Sequence, residues 1–172
     1  RDDIEITLGF YFRNFRKIKA YRFHNFKYRR NPFPLRIANA LKIRGRQPYW
    51  DLLFGKKIYV FPNFTSWPLL FSKSIPIIYD LSYEKFPQFA DPRNQKFLSD
   101  NVKKSAKWAE RIVTISTNSK DEIVDFYKVP ANKVDVVYPG IDQSQFFRWP
   151  TTEVEKIKAH YSIYGKYILY VG

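Results

Sequence analysis

The sequence predicts a parallel α/β domain, a sheet flanked by helices. Short apolar strands alternate with capped helices along most of the chain, which is the pattern of βαβ units. Most of those strands are apolar throughout, as strands covered on both faces must be. The length and composition agree: 172 residues, 45% hydrophobic and 27% charged, suit one globular domain with room for a core.

The elements follow in order. "IEITLGFYF" (4–12) alternates and is rich in β-branched and aromatic residues, so it reads as a strand. Residues 13–31 are basic and aromatic without a clean period, a loop with room for one strand. In "PFPLRIANALKI", Leu35, Ile37, Ala38, Leu41 and Ile43 fall near helical spacing, and Gly45 is a plausible stop. "KIYVFPN" (57–63) is a strand ended by Pro62, and "IPIIYD" (75–80) is another. Asp91-Pro92 offers a carboxylate cap and a proline at the first helical position, opening a helix to about Ala109. "RIVTIS" (111–116) is a strand, and Ser119 with Glu122 forms a capping box for a helix through about Tyr127. "KVDVVYPG" (133–140) is a strand broken by Pro139-Gly140, and a linker with Trp149-Pro150 follows. A second capping box, Thr152 with Glu155, opens a short helix to about Tyr161, and "KYILYVG" (166–172) is the last strand. Residues 1–150 are expected to form one domain, and 151–172 a linker helix and the first strand of another.

Ligands of parallel sheets bind beyond the carboxyl ends of the strands. Tyr79-Asp80, Pro62-Asn63, Ser116-Thr117 and Pro139-Gly140 stand at such ends. Several chemistries are excluded. No G-x-G-x-x-G and no G-x-x-x-x-G-K-[ST] occurs, so the glycine-loop phosphate cradles are missing. Two separated histidines, His24 and His160, and no cysteine argue against a zinc site, and no metal is expected. No nucleophile elbow is present, since Ser116 is followed by Thr117. No run approaches the ~18 apolar residues that a membrane span needs, and the N-terminus has no apolar core of a signal peptide. The absence of methionine is expected of a segment rather than of a whole reading frame.

"IPIIYDLSYEKFPQF", "SAKWAERIVTISTNSKDEIVDFYKVPANKVDVVYPGID" and "YILYVG" together resemble glycosyltransferase family 4, retaining enzymes of the GT-B fold. The resemblance runs over roughly residues 55–172. It implies a Rossmann-like parallel sheet flanked by helices, the N-terminal, acceptor-side half of that fold. It also implies transfer of a sugar, a hexosyl group, from a nucleotide-sugar donor to a saccharide or lipid-linked acceptor, with no further cofactor. One departure is that Tyr79 stands where the family usually has histidine. The family's glycine-bearing donor loop and its paired glutamates find no counterpart, so the donor is expected to bind mainly to a domain outside this segment. The segment alone is expected to be inactive. On this reading Asp80 and Tyr79 are the catalytic candidates, and Asn63, Tyr83 and Trp67 offer polar and aromatic groups to the acceptor. Ser116, Thr117, Ser119, Lys120, Gly140 and Asp142 face the donor or the interdomain cleft. A non-catalytic binding module that pairs with a separate donor domain is the alternative, and a nucleic-acid-binding α/β protein is a third reading.

Residues 1–50 hold 13 basic and 3 acidic side chains, against a net charge of +14 for the whole chain. Arg13, Arg16, Lys17, Lys19, Arg22, Lys27, Arg29 and Arg30 are interleaved with Phe and Tyr. Cations and interfacial rings suit an anionic membrane surface, each cation contributing ~1 kcal/mol. The nucleic-acid signatures are missing, and a solvated basic face is the plain alternative. The expectation is a cytoplasmic protein, peripheral on the inner membrane face. Sedimentation with liposomes is then expected to rise with anionic lipid content and fall with salt; equal binding to neutral vesicles refutes docking through these charges.

Overall fold

A computed structural model describes residues 6–11, 26–31, 49–144 and 146–170. The chain divides into two compact units, Arg1–Val137 and Tyr138–Gly172. In the first, β1 (Ile6–Tyr11) and β2 (Phe26–Asn31) pair in parallel, Ile6 opposite Phe26 and Tyr11 opposite Asn31. The expected first strand is therefore present, and the basic stretch ends in a second one. The helix expected between Pro34 and Gly45 lies outside the described residues, as do His24 and the cations Arg13 to Arg22.

The rest of the unit runs α1 (Trp50–Phe54), β3 (Ile58–Phe61), β4 (Lys73–Pro76), α2 (Ser82–Lys85) and a 3-10 turn over Pro87–Phe89. Then come α3 (Pro92–Trp108), β5 (Ile112–Thr114), α4 (Thr117–Tyr127), a second 3-10 turn over Ala131–Lys133 and β6 (Val134–Val136). β3 and β4 are parallel with Ile58 opposite Lys73, and β5 and β6 are parallel with Ile112 opposite Val134. A parallel bridge between Ile77 and Val113 joins the two pairs. There the Ile78 amide donates to the Val113 carbonyl at 2.9 Å. The parallel α/β architecture is thus the one the sequence predicts.

The core follows from the helical stripes. Leu98, Val102, Ser105 and Ala106 are buried on α3, and Ser119, Ile123 and Tyr127 on α4, at the three- and four-residue spacing of one helical face. They meet Ile78, Leu81, Ile112 and Val134, all fully buried. Each such aliphatic side chain contributes about 1.5–3 kcal/mol through its burial.

Four expectations are corrected. The strand expected over 75–80 pairs only over Lys73–Pro76 and bridges at Ile77; beyond Ile78 the chain leaves the sheet, and Ile75 and Ile77 are only half-buried. Helix α4 is capped by Ser116, whose Oγ accepts from the Ser119 amide at 3.1 Å. Only two residues separate β5 from this helix, so it starts before Ser119, and Glu122 accepts from Lys85 (2.7 Å) and Asn118 (2.9 Å) instead of completing a box. In the second unit, α5 (Thr151–His160) begins after Pro150 with no side-chain cap. Thr152 falls inside its first turn, and Glu155 pairs with Lys158 at 2.8 Å. Residues 166–170 form no strand, because no described residue offers them a ladder to pair with. By contrast, the cap expected at α3 is present: Asp91 accepts from the amides of Arg93 (3.0 Å) and Asn94 (2.9 Å), with Pro92 at the first helical position.

The sequence gives no hint of how β4 is approached. The buried carboxylate of Asp51 on α1 accepts from the amides of Leu70 (2.9 Å), Phe71 (2.6 Å) and Ser72 (2.8 Å). Burial pushes its pKa up, but these backbone N–H groups and the Ser72 hydroxyl outweigh burial and hold it below the ordinary 3.8. Asp51→Ala is expected to lower stability by about 2–3 kcal/mol at neutral pH, since it strands buried donors. The charge-dependent part of that loss is fully present above the unfolded pKa of ~3.9. It disappears as pH falls through the lower folded value. Denaturation from pH 7 downward should therefore show the native and variant curves converging below about pH 4.

Candidate functional site

β4 delivers its carboxyl end beside that of β3. The Tyr79 hydroxyl donates to the Pro62 carbonyl at 2.7 Å, and the Phe64 amide donates to the Ile77 carbonyl at 3.0 Å. This geometry holds Phe64 at φ 54°, in the left-handed region that a bulky side chain rarely adopts. Its ring meets those of Tyr79 and Tyr83 edge-on, with centroids 5.3 and 6.0 Å away. Asp80 is half-buried, and its Oδ1 accepts from the Ser82 amide (2.8 Å) and hydroxyl (2.7 Å), which turns the chain into α2. Leu81, fully buried, anchors that turn.

These segments and the start of α3 line an open surface cavity of about 530 Å³, with Asp91, Asn94, Phe86 and Phe89 exposed on its rim. Asp80, Ser82, Asp91 and Asn94 supply its polar groups, and Phe64, Phe86, Phe89 and Leu98 most of its apolar wall. Of the residues singled out in the sequence, Asp80 and Tyr83 are brought to this cavity. Tyr83 contributes wall rather than a free hydroxyl, because it is 4% exposed and its oxygen lies 2.6 Å from that of Tyr127. Burial pushes the Tyr83 hydroxyl far above its ordinary pKa and that of Tyr127 up to about 12, so both stay neutral.

The other predicted residues sit elsewhere. Tyr79 braces the ends of β3 and β4, and Asn63 is exposed at the end of β3. Trp67 stacks on buried Trp50, with centroids 4.3 Å apart, and touches Phe61 edge-on. Ser116 caps α4, Thr117 is exposed, Ser119 is buried and Lys120 is half-buried, all at the carboxyl end of β5. Gly140 and Asp142 belong to the second unit, where Asp142 accepts from the Ser144 amide (2.9 Å) and hydroxyl (2.6 Å). Lys27 is exposed on β2, which also carries Arg29 and Arg30. Among the described residues there is no metal-ligating cluster of three acids or histidines. No described helix is long and apolar enough to cross a membrane.

Residues 6–145 match the family model of Glycosyltransferase Family 4. The chain belongs to glycosyltransferase family 4. Its parallel α/β unit is the Rossmann-like half of the GT-B fold expected for that family. It is similar to O-antigen chain mannosyltransferase B of Escherichia coli, 23% identical over 81% of this chain and 36% of the relative. It is also similar to O-antigen chain mannosyltransferase RfbU of Salmonella typhimurium, 27% identical over 77% of this chain and 40% of the relative. The chain thus spans well under half the length of these relatives. No solved structure matches it.

Sequence reasoning overlooked Phe64, Phe86, Phe89, Asn94 and Tyr127. The run "YEKFPQFADP" carried a usable signal, since three aromatic rings and a capping aspartate so close together rarely all face inward. Tyr83 and Tyr127, 44 residues apart, carried none. Either Tyr→Phe change leaves one buried hydroxyl without a partner and is expected to cost about 1–3 kcal/mol. The double change removes both hydroxyls and should recover most of the loss in a double-mutant cycle; additive losses refute the pairing.

Proposed function

We propose that this chain is the acceptor-side domain of a retaining glycosyltransferase that moves a hexose from a nucleotide sugar to a saccharide or lipid-linked acceptor. Residues 1–150 form that domain and 151–172 lead into the domain that binds the donor. The observation that carries the reading is the cavity at the carboxyl edge of the sheet, where Asp80 and the exposed rings of Phe86 and Phe89 stand together. The acceptor ring rests against those rings, and the free carboxylate oxygen of Asp80 orients its hydroxyl. Tyr79, in the place of the family histidine, fixes the end of β4 against Pro62. Ser116, Thr117, Ser119, Lys120, Gly140 and Asp142 serve the donor side or the hinge. No metal or cofactor is required. The basic first third, Lys27, Arg29 and Arg30 included, holds the domain to an anionic membrane where a lipid-linked acceptor resides. The mannosyltransferase relatives make mannose the first sugar to test.

The test uses the whole gene product that carries this chain, supplied with labelled nucleotide-activated mannose and membranes as acceptor. Asp80→Ala is expected to lower transfer by about 10²-fold, the usual cost of misplacing a reacting group, with a shift in melting temperature of only a few degrees. Transfer undiminished, or lost only in step with stability, overturns the role of Asp80. The 172-residue chain alone is expected to turn over no nucleotide sugar, and turnover above a heat-inactivated control refutes the division of labour.

A further inference from the structure

The net charge of the chain is +14, yet the wall of the cavity holds two carboxylates, Asp80 and Asp91, and no cation. Both carboxylates use only one oxygen internally. Asp80 Oδ1 takes the amide and hydroxyl of Ser82, and Asp91 Oδ1 takes the amides of Arg93 and Asn94. The second oxygen of each accepts from no described residue. The side-chain amide of Asn94 on the same wall is also without a described partner. The same lining includes rings that the fold leaves uncovered, Phe86 at 50% and Phe89 at 85% exposure. Hydroxyl donors satisfy the free carboxylate oxygens, and a face of C–H groups covers the rings. A sugar ring offers both, and a ligand bearing its own negative charge meets two like charges at short range.

We propose that this cavity selects its saccharide by charge: it takes an uncharged pyranose, and Asp80 with Asp91 rejects sugars that carry a carboxylate or a phosphate. The inference rests on the acceptor-side reading of the same cavity and narrows it to a substrate class. At separations of about 5–8 Å in water, two like charges weaken binding on the order of tenfold at low salt. The rejection is local, because the surface as a whole attracts anions.

The experiment titrates the chain at low salt by saturation-transfer NMR with methyl α-mannopyranoside and methyl α-glucopyranoside, and with glucuronic acid and mannose 6-phosphate. The neutral glycosides are expected to bind at least about tenfold more tightly than the two anions. The Asp80→Asn, Asp91→Asn double variant keeps the carbonyl oxygens that accept from the backbone, and asparagine caps a helix as well as aspartate does. It should narrow the gap to within about twofold. Equal binding of anionic and neutral sugars to the native chain overturns the proposal, and so does a gap that survives in the double variant. So does silence from both neutral glycosides on a chain with native circular dichroism. The transfer assay with Asp80→Ala separates the two readings. Transfer lost without charge selection leaves the acceptor-side assignment standing and removes only this inference.

Discussion

The carboxyl edge depends on one joint. The strands of the β3–β4 and β5–β6 pairs are each only three or four residues long, and the bridge from Ile77 to Val113 joins the two pairs side by side. The Ile78 amide bonds across it while its side chain sits at 0% exposure between the helices. Because all four strands then run the same way, their carboxyl ends fall on a common edge. Phe64, Tyr79 and Asp80 follow within three residues of strand pairing, and Ser116 follows β5 by two. Without that joint the same residues would top two unrelated ribbons.

Around it, the protein closes its loops with short polar side chains that accept from backbone amides. Asp51 gathers the approach to β4, Asp80 turns the chain after it, Asp91 starts α3 and Ser116 starts α4. The donors that Asp51 and Ser116 satisfy are partly buried, while those of Asp80 and Asp91 lie at the surface, where the bond fixes the turn rather than sparing a buried group. The opposite edge is held by ion pairs, Lys73 with Glu110 and Arg111 with Asp135, all largely exposed. Lys73 lowers the Glu110 carboxyl pKa, but at such exposure the pair adds little to stability. The backbone-bound carboxylates therefore do more for the shape of the cavity than the surface charges do.

What was legible in the sequence follows the range of each signal. The strands β3, β5 and β6 and the cap at Asp91 rest on local pattern and stand where they were expected, whereas β4 begins earlier and ends sooner than its apolar run suggested. The cap at Ser116 was misplaced by three residues, because a capping-box motif at Ser119 competes with a constraint set by the end of β5. Of the candidate site, Asp80 was readable from its place after an apolar run. Trp67 lies against Trp50 rather than in the lining of the cavity, and the sequence around an aromatic beside a loop does not distinguish the two places. Asp51 with Leu70, and Tyr83 with Tyr127, are contacts between distant segments that no local pattern encodes.

The burial rhythm of residues 76 to 81 also limits how this region can vary in length. Pro76, Ile78 and Leu81 point inward, while Ile77, Tyr79 and Asp80 are only half-buried. Successive residues of extended chain alternate sides, so a single residue inserted after Ile77 moves Ile78 to the half-buried place of Tyr79 and Asp80 to the buried place of Leu81. A carboxylate would then stand in the core, and an isoleucine would be partly uncovered. Length changes are tolerable only further on, in the Phe86–Ala90 stretch, where the backbone answers to a 3-10 turn rather than to the sheet. One wall of the cavity is thus free to change length while the span that carries Asp80 keeps its own.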